Sequence, residues 1–242
     1  MRLATYLDHL VDDGALLAAE VERVSLDDKV PSCPGWTARD LVVHVGGIHR
    51  WAASIVGNAM AENDEVTGEQ VGSGPADALL LDWFREGHQA LVRTLRAASP
   101  DLRCFTFLPA PTPLLFWARR QAHETAIHRV DAETVRGEIT PFDADFARDG
   151  IEEILFGFAA RPRPAIEPGV MVVRPDDDAT GWTLNFGGTG VTTSRGEATA
   201  DVVLTGSASD LYLWLWNRPS GAVLSGDGAV AERWRDIRVR WS

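Results

Sequence analysis

The sequence predicts an α+β protein in two parts, a four-helix bundle over residues 1–140 and a small α+β domain over residues 141–242. Three observations predict it. Apolar residues recur at helical spacing as far as Thr140; beyond that point they alternate in short runs typical of strands; and the Pro-rich stretch RPRPAIEPG lies between the last long helix and those runs.

The first helix follows from Leu3, Leu7, Leu10, Leu17, Val21 and Val24. After the turn PSCPGW, Thr37 and Asp40 form a capping box with Asp in place of the usual Glu, opening a second helix through LVVHVGGIHRWAASIV. Leu41, Val45, Ile48, Ala52 and Ile55 share one side of it, and Gly46 with Gly47 admits a close neighbour or ligand. A polar, Gly-rich stretch from Ala61 to Gly74 precedes a third helix from Pro75 to Ala98, and a fourth runs from Pro113 to just before Gly137. Four amphipathic helices of this length imply a bundle. A further helix, Phe142 to Ala159, leads to the strand-like runs VMVVR, WTLNF, VTTSR and ADVVLTG, with turns at DDDATG and GGTG, which predict an antiparallel sheet. SDLYLWLWNR returns to helix, and the tail GDGAVAERWRDIRVRW is mixed.

A net charge of -12 argues against nucleic acid as a partner, because phosphate binding draws on Lys and Arg, and equally against an anionic membrane. Asp8, Asp12 and Asp13 interrupt the region where an apolar export signal would lie, and no run approaches the ~18 apolar residues of a membrane span. The expectation is a cytoplasmic protein whose Cys33 and Cys104 stay reduced.

The richest chemistry is HETAIHRVDAE on the fourth helix. Ile127 excludes the HExxH zinc-protease pattern. His123 and His128 lie roughly 140° apart around a helix, whereas Glu124 and His128 are only about 40° apart. Trp117, Gln121, Glu124, His128 and Asp131 form one stripe that turns from apolar to polar, and such an inward stripe must be paired or bound to metal. His44 shares a core-facing stripe with Leu41, Ile48 and Trp51, and is the best third ligand. His44, Glu124 and His128 around an open position would make a catalytic rather than a structural site. Spacing leaves a plain hydrogen-bonded His–Glu pair standing beside the metal reading. It leaves Asp131 either orienting His128 or pairing with a nearby arginine at the helix end. His9, His49 and His88 are expected at the surface or rim. Trp36, Trp51, Trp83 and Trp117 are expected mainly in packing, and Cys33 in a structural turn.

PSCPGWTARDLVVHVGGIHRW and HETAIHRVDAE, separated by the length of a third helix and its linkers, resemble the mycothiol-dependent maleylpyruvate isomerase family within the DinB-like metalloenzyme superfamily. The resemblance covers the first domain, and in the second it rests on the strand pattern and DLYLWLWNRP. It implies a DinB-like bundle, a sterol-carrier-like second domain, and a divalent metal, usually zinc, at His44, Glu124 and His128. It also implies mycothiol, a small thiol whose sulfur approaches the open coordination position. Asp131 and Arg218 match family positions that support catalysis. Val130 stands where the family often carries an aromatic residue, a departure that bears on the pocket wall and on substrate identity. The activity implied is isomerisation or thiol transfer on a small electrophile. Two other readings stand beside it: a non-catalytic metal- or ligand-binding module, and a carrier whose second domain holds an apolar molecule. Two histidines and a carboxylate accept nickel or manganese as well as zinc.

Overall fold

The computed structural model describes residues 1–63, 74–177, 180–188 and 190–237, which divide into two compact units, Met1–Thr140 and Pro141–Ser242. Most of the predicted Gly-rich stretch from Ala61 to Gly74, parts of the DDDATG and GGTG turns and the end of the tail lie outside the described residues.

The first unit holds four long helices: α1 (Leu3–Val21), α2 (Ala38–Gly57), α3 (Asp77–Ala97) and α4 (Pro113–Thr134). α1 packs along α4, and α2 along α3. The expected capping box opens α2: Thr37 Oγ1 accepts from Asp40 N at 3.2 Å, and Asp40 Oδ2 accepts from Thr37 N at 2.9 Å. Thr112 caps α4 with Pro113 as its first residue, where a missing N–H costs nothing. Leu17, Val21, Leu41, Val42, Val45, Leu80 and Phe84 form the core between α1, α2 and α3.

α4 departs from the amphipathic pattern, being buried on nearly every side. Its buried charges are therefore paired. Arg129 donates from Nε to Asp13 Oδ1 at 3.0 Å, and from NH1 to Glu133 Oε2 at 2.6 Å and the Thr140 carbonyl at 2.7 Å.

The second unit opens with α5 (Ala144–Glu152), capped by Asp143 and continued by a π-helical turn, Glu153–Phe158. Five strands follow in the order β3-β2-β1-β4-β5: β1 (Gly169–Pro175), β2 (Trp182–Gly187), β3 (Gly190–Arg195), β4 (Val202–Gly206) and β5 (Val223–Gly226). α6 (Ala208–Leu215) follows β4, and α7 (Gly228–Asp236) follows β5. Met171, Val172 and Val173 of the central β1 are all fully buried, so this strand reads as a continuous apolar run.

The sheet is mixed rather than antiparallel. β1 pairs parallel to β4, with Met171 opposite Val202 and Pro175 opposite Gly206. Parallel neighbours usually need a crossover of about a dozen residues. Here residues 176–201 make it through the β2–β3 hairpin, and its end is held by Ala198 N on Thr183 Oγ1 and by Asp201 N on the Val170 carbonyl.

His88 on α3 fits against α1 because Gly14 lacks a side chain: a Cβ there would stand 2.3 Å from His88 Nε2. Gly14→Ala is expected to destabilise the protein by about 1–3 kcal/mol through overpacking, despite alanine's better helix propensity. Urea denaturation measures this, and an unchanged or raised midpoint would count against it.

Candidate metal centre

α2 and α4 bring the three expected ligands together. His44 Nε2 is 3.4 Å from Glu124 Oε1, and His128 Nε2 is 3.3 Å from the same oxygen. One ligand atom from each of the three residues falls within 4.8 Å of the others. Two ligands bound at zinc's usual lengths of about 2.0–2.1 Å and a tetrahedral angle would lie roughly 3.3 Å apart, so the residues fit a divalent ion. The His44 side chain is 33% exposed, which leaves the group approachable by a small molecule.

A second layer surrounds these atoms. Arg120, almost fully buried, donates to Glu124 Oε2 at 3.0 Å and so leaves Oε1 to face both histidines. Asp131, fully buried, accepts from His128 Nδ1 at 2.8 Å. Arg129, the neighbouring arginine, pairs with Asp13 and Glu133. Ser32 Oγ donates to Asp131 Oδ1 at 2.5 Å, and Cys33 Sγ to Asp131 Oδ2 at 3.2 Å. The Trp36 indole centroid lies 4.8 Å from that of His44 and 6.1 Å from that of His128, almost parallel to the latter ring.

These contacts set the charges of the metal-free protein. Burial raises the Glu124 carboxyl, but hydrogen bonds from His128 and His44 outweigh it and hold the group well below its ordinary range. Burial opposes a charge on His128, yet Asp131, Cys33 and Glu124 hold its imidazolium well above the ordinary 6.5. A cation bound here would replace that proton, so its binding would strengthen as pH rises.

Of the other expected residues, Arg218 belongs to the second unit, after α6, where its NH1 donates to the Trp216 carbonyl at 2.7 Å. His123 is fully buried and meets Tyr6 of α1 edge-on. Trp51 and Trp117 pack edge-to-face in the interior, while Trp83 lies under Arg50.

Two expectations are corrected. His49 and His88 are buried rather than at the surface or rim. His88 Nε2 donates to the Leu10 carbonyl at 2.8 Å. The Thr125 hydroxyl donates to the Gln121 carbonyl, so His49 Nε2, 2.8 Å away, must donate to Thr125. His49 Nδ1 has no partner among the described residues. Burial lowers the pKa of both, His49 the more strongly.

Ser32 and Arg120 were not legible as site residues. Arg120 has a sequence signal, its i,i+4 spacing to Glu124. Ser32 has none, since its partner lies 99 residues away.

Two family models match the chain: "Mycothiol maleylpyruvate isomerase N-terminal domain" over residues 7–133 and "MDMPI C-terminal domain" over residues 145–233. Among solved structures, the mycothiol-dependent maleylpyruvate isomerase is similar at TM-score 0.68 and 17% identity, covering 94% of this chain and 95% of that one. A mutant of that isomerase is similar at TM-score 0.67 and 18% identity, with the same coverage. At such identities the likeness establishes the fold. No curated protein matches by sequence.

The buried, neutral His49 predicts acid sensitivity. Its folded pKa lies well below the unfolded value of 6.5, so its contribution is present above pH 6.5 and is lost as pH falls from there towards the folded pKa. The loss amounts to about 1.4 kcal/mol per pH unit while it titrates. In urea denaturation of the metal-free protein, the stability gap between wild type and His49→Gln should narrow between pH 7.5 and pH 5; a constant gap would contradict the assignment.

Proposed function

Because this chain belongs to the mycothiol maleylpyruvate isomerase family, we propose that it is a metal-dependent enzyme with mycothiol as its thiol cofactor. It acts on a small electrophile as a cis–trans isomerase or as a thiol transferase. The observation that carries the proposal is the convergence of His44 Nε2 and His128 Nε2 on one oxygen of Glu124, at separations suited to a shared ion.

His44, Glu124 and His128 would hold the ion, with zinc the first choice for two imidazoles and a carboxylate. A divalent ion held there would lower the pKa of a thiol that is otherwise mostly protonated near neutral pH and a poor nucleophile. Such a thiolate could add reversibly to an activated cis double bond, so that rotation about the new single bond and loss of the same thiolate would give the trans alkene. Transfer chemistry would stop at the adduct.

The chain's own residues prepare this. Arg120 fixes Glu124 through Oε2. Asp131 holds the His128 Nδ1 proton and thereby presents Nε2 to the ligand position. The exposed edge of His44 gives the thiol its approach. Arg218 supplies a guanidinium for a substrate carboxylate, which it can grip through two parallel hydrogen bonds. The partners are small molecules. The net charge of -12 is unsuited to nucleic acid, and no helix of the described residues is long and apolar enough to cross a membrane. A cytoplasmic setting fits a reduced small thiol.

Metal analysis joined to a mycothiol-dependent turnover assay tests the proposal. Wild type should carry about one ion per chain, and His44→Ala or Glu124→Ala should lose both the ion and at least about a hundredfold in turnover. A wild-type protein without metal and without thiol-dependent reaction overturns the proposal, and metal without turnover favours a binding module.

Arg218→Lys keeps the charge but not the two-pronged grip. KM for a carboxylate substrate should rise about tenfold with a smaller change in kcat. Steady-state kinetics that leave KM untouched would remove Arg218 from substrate binding.

A further inference from the structure

We propose that Ser32 and Cys33, in the turn before α2, are positioning residues of the metal centre. They lock the Asp131 carboxylate that aims His128 at the ion. The inference rests on the reading of His44, Glu124 and His128 as metal ligands.

Asp131 has no solvent exposure, and a buried carboxylate is tolerated only where donors meet its oxygens. His128 on the same helix supplies one, Nδ1 to Oδ2 at 2.8 Å. Donors on a second element add to that bond in restricting rotation about Cβ–Cγ. Ser32 Oγ takes Oδ1 at 2.5 Å, and Cys33 Sγ shares Oδ2 at 3.2 Å, so both oxygens are held from a second element.

That element is itself rigid. Val30 N donates to the Trp36 carbonyl, Cys33 N to the Val30 carbonyl, and Trp36 N to the Cys33 carbonyl, each at 3.0 Å. Val30 is anchored in the bundle core. Trp36 closes the same turn and packs its indole against both His44 and His128. One short turn thus touches the histidine ligands directly through Trp36 and indirectly through Asp131. Without the two donors, Asp131 can leave Nδ1, and His128 loses the bond that fixes its ring and the direction of its Nε2 lone pair.

The test uses the full chain. Zinc affinity is read by chelator competition, site geometry by the visible spectrum of the cobalt-loaded protein, and the His128–Asp131 bond by the downfield ring N–H resonance in proton NMR. Ser32→Ala and Cys33→Ala should each weaken zinc about tenfold, while Cys33→Ser, which keeps a donor, stays within about threefold of wild type. The alanine variants should also shift the cobalt bands and broaden the N–H resonance. A merely structural turn would lower the melting temperature and leave the bands in place. Wild-type affinity, spectrum and resonance in a folded Ser32→Ala/Cys33→Ala double variant overturn the inference. If wild type takes up neither zinc nor cobalt, the metal reading falls, and the N–H resonance alone then decides whether the turn positions His128.

Discussion

The first unit is organised by the need to neutralise charged groups carried into its interior by α4. Arg120, Arg129, Asp131 and Glu133 are nearly or fully buried, and Glu124 is largely so. An unpaired charge at such a depth costs several kcal/mol. Each therefore meets a partner: Arg120 meets Glu124, Arg129 meets Asp13 and Glu133, and Asp131 meets His128 with the Ser32–Cys33 turn. The positions of α1 and the turn follow from these pairings as much as from the apolar core.

Helical geometry divides the work among the faces of α4. Glu124, His128 and Asp131 lie on the face towards α2 and the turn, where the candidate ligands collect. Arg129 and Glu133 tie the helix to Asp13 of α1 and to Thr140, the last residue of the unit. His123 faces Tyr6 of α1 and stays out of the site, as the roughly 140° between it and His128 requires. Adjacent residues such as His128 and Arg129 can then differ fully in role, because one step along the helix turns the side chain by about 100°.

The bundle and the buried polar stripe were legible because both are short-range, periodic patterns: a capping box within four residues, and Glu124, His128 and Asp131 at steps of four and three. What escaped depended on partners distant in the chain. His88 is buried because Gly14, on another helix, leaves room for its ring, and His49 because Thr125 can accept its proton. Ser32 carries no local sign of its bond to Asp131. β5 was hidden for a different reason: all four of its residues are exposed, so no apolar alternation marks it. The parallel β1–β4 pair was hidden because β4 returns beside β1 only after the β2–β3 hairpin, a long-range pairing that no local pattern marks.

His128 gives its two ring nitrogens to different partners. Its Nδ1 stands 2.8 Å from Asp131 Oδ2, the ordinary length for a charge-assisted N–H···O bond. Its Nε2 stands 3.3 Å from Glu124 Oε1, and His44 Nε2 reaches the same oxygen from the other side at 3.4 Å. Longer contacts of this kind hold the Glu124 carboxylate less firmly than a short one would. Arg120 instead draws the Glu124 carboxylate from behind, and Asp131 holds His128 in front. Both anchors act on the far atom of a ligand and keep the near atoms apart. The same spacing suits an ion at zinc's usual bond lengths.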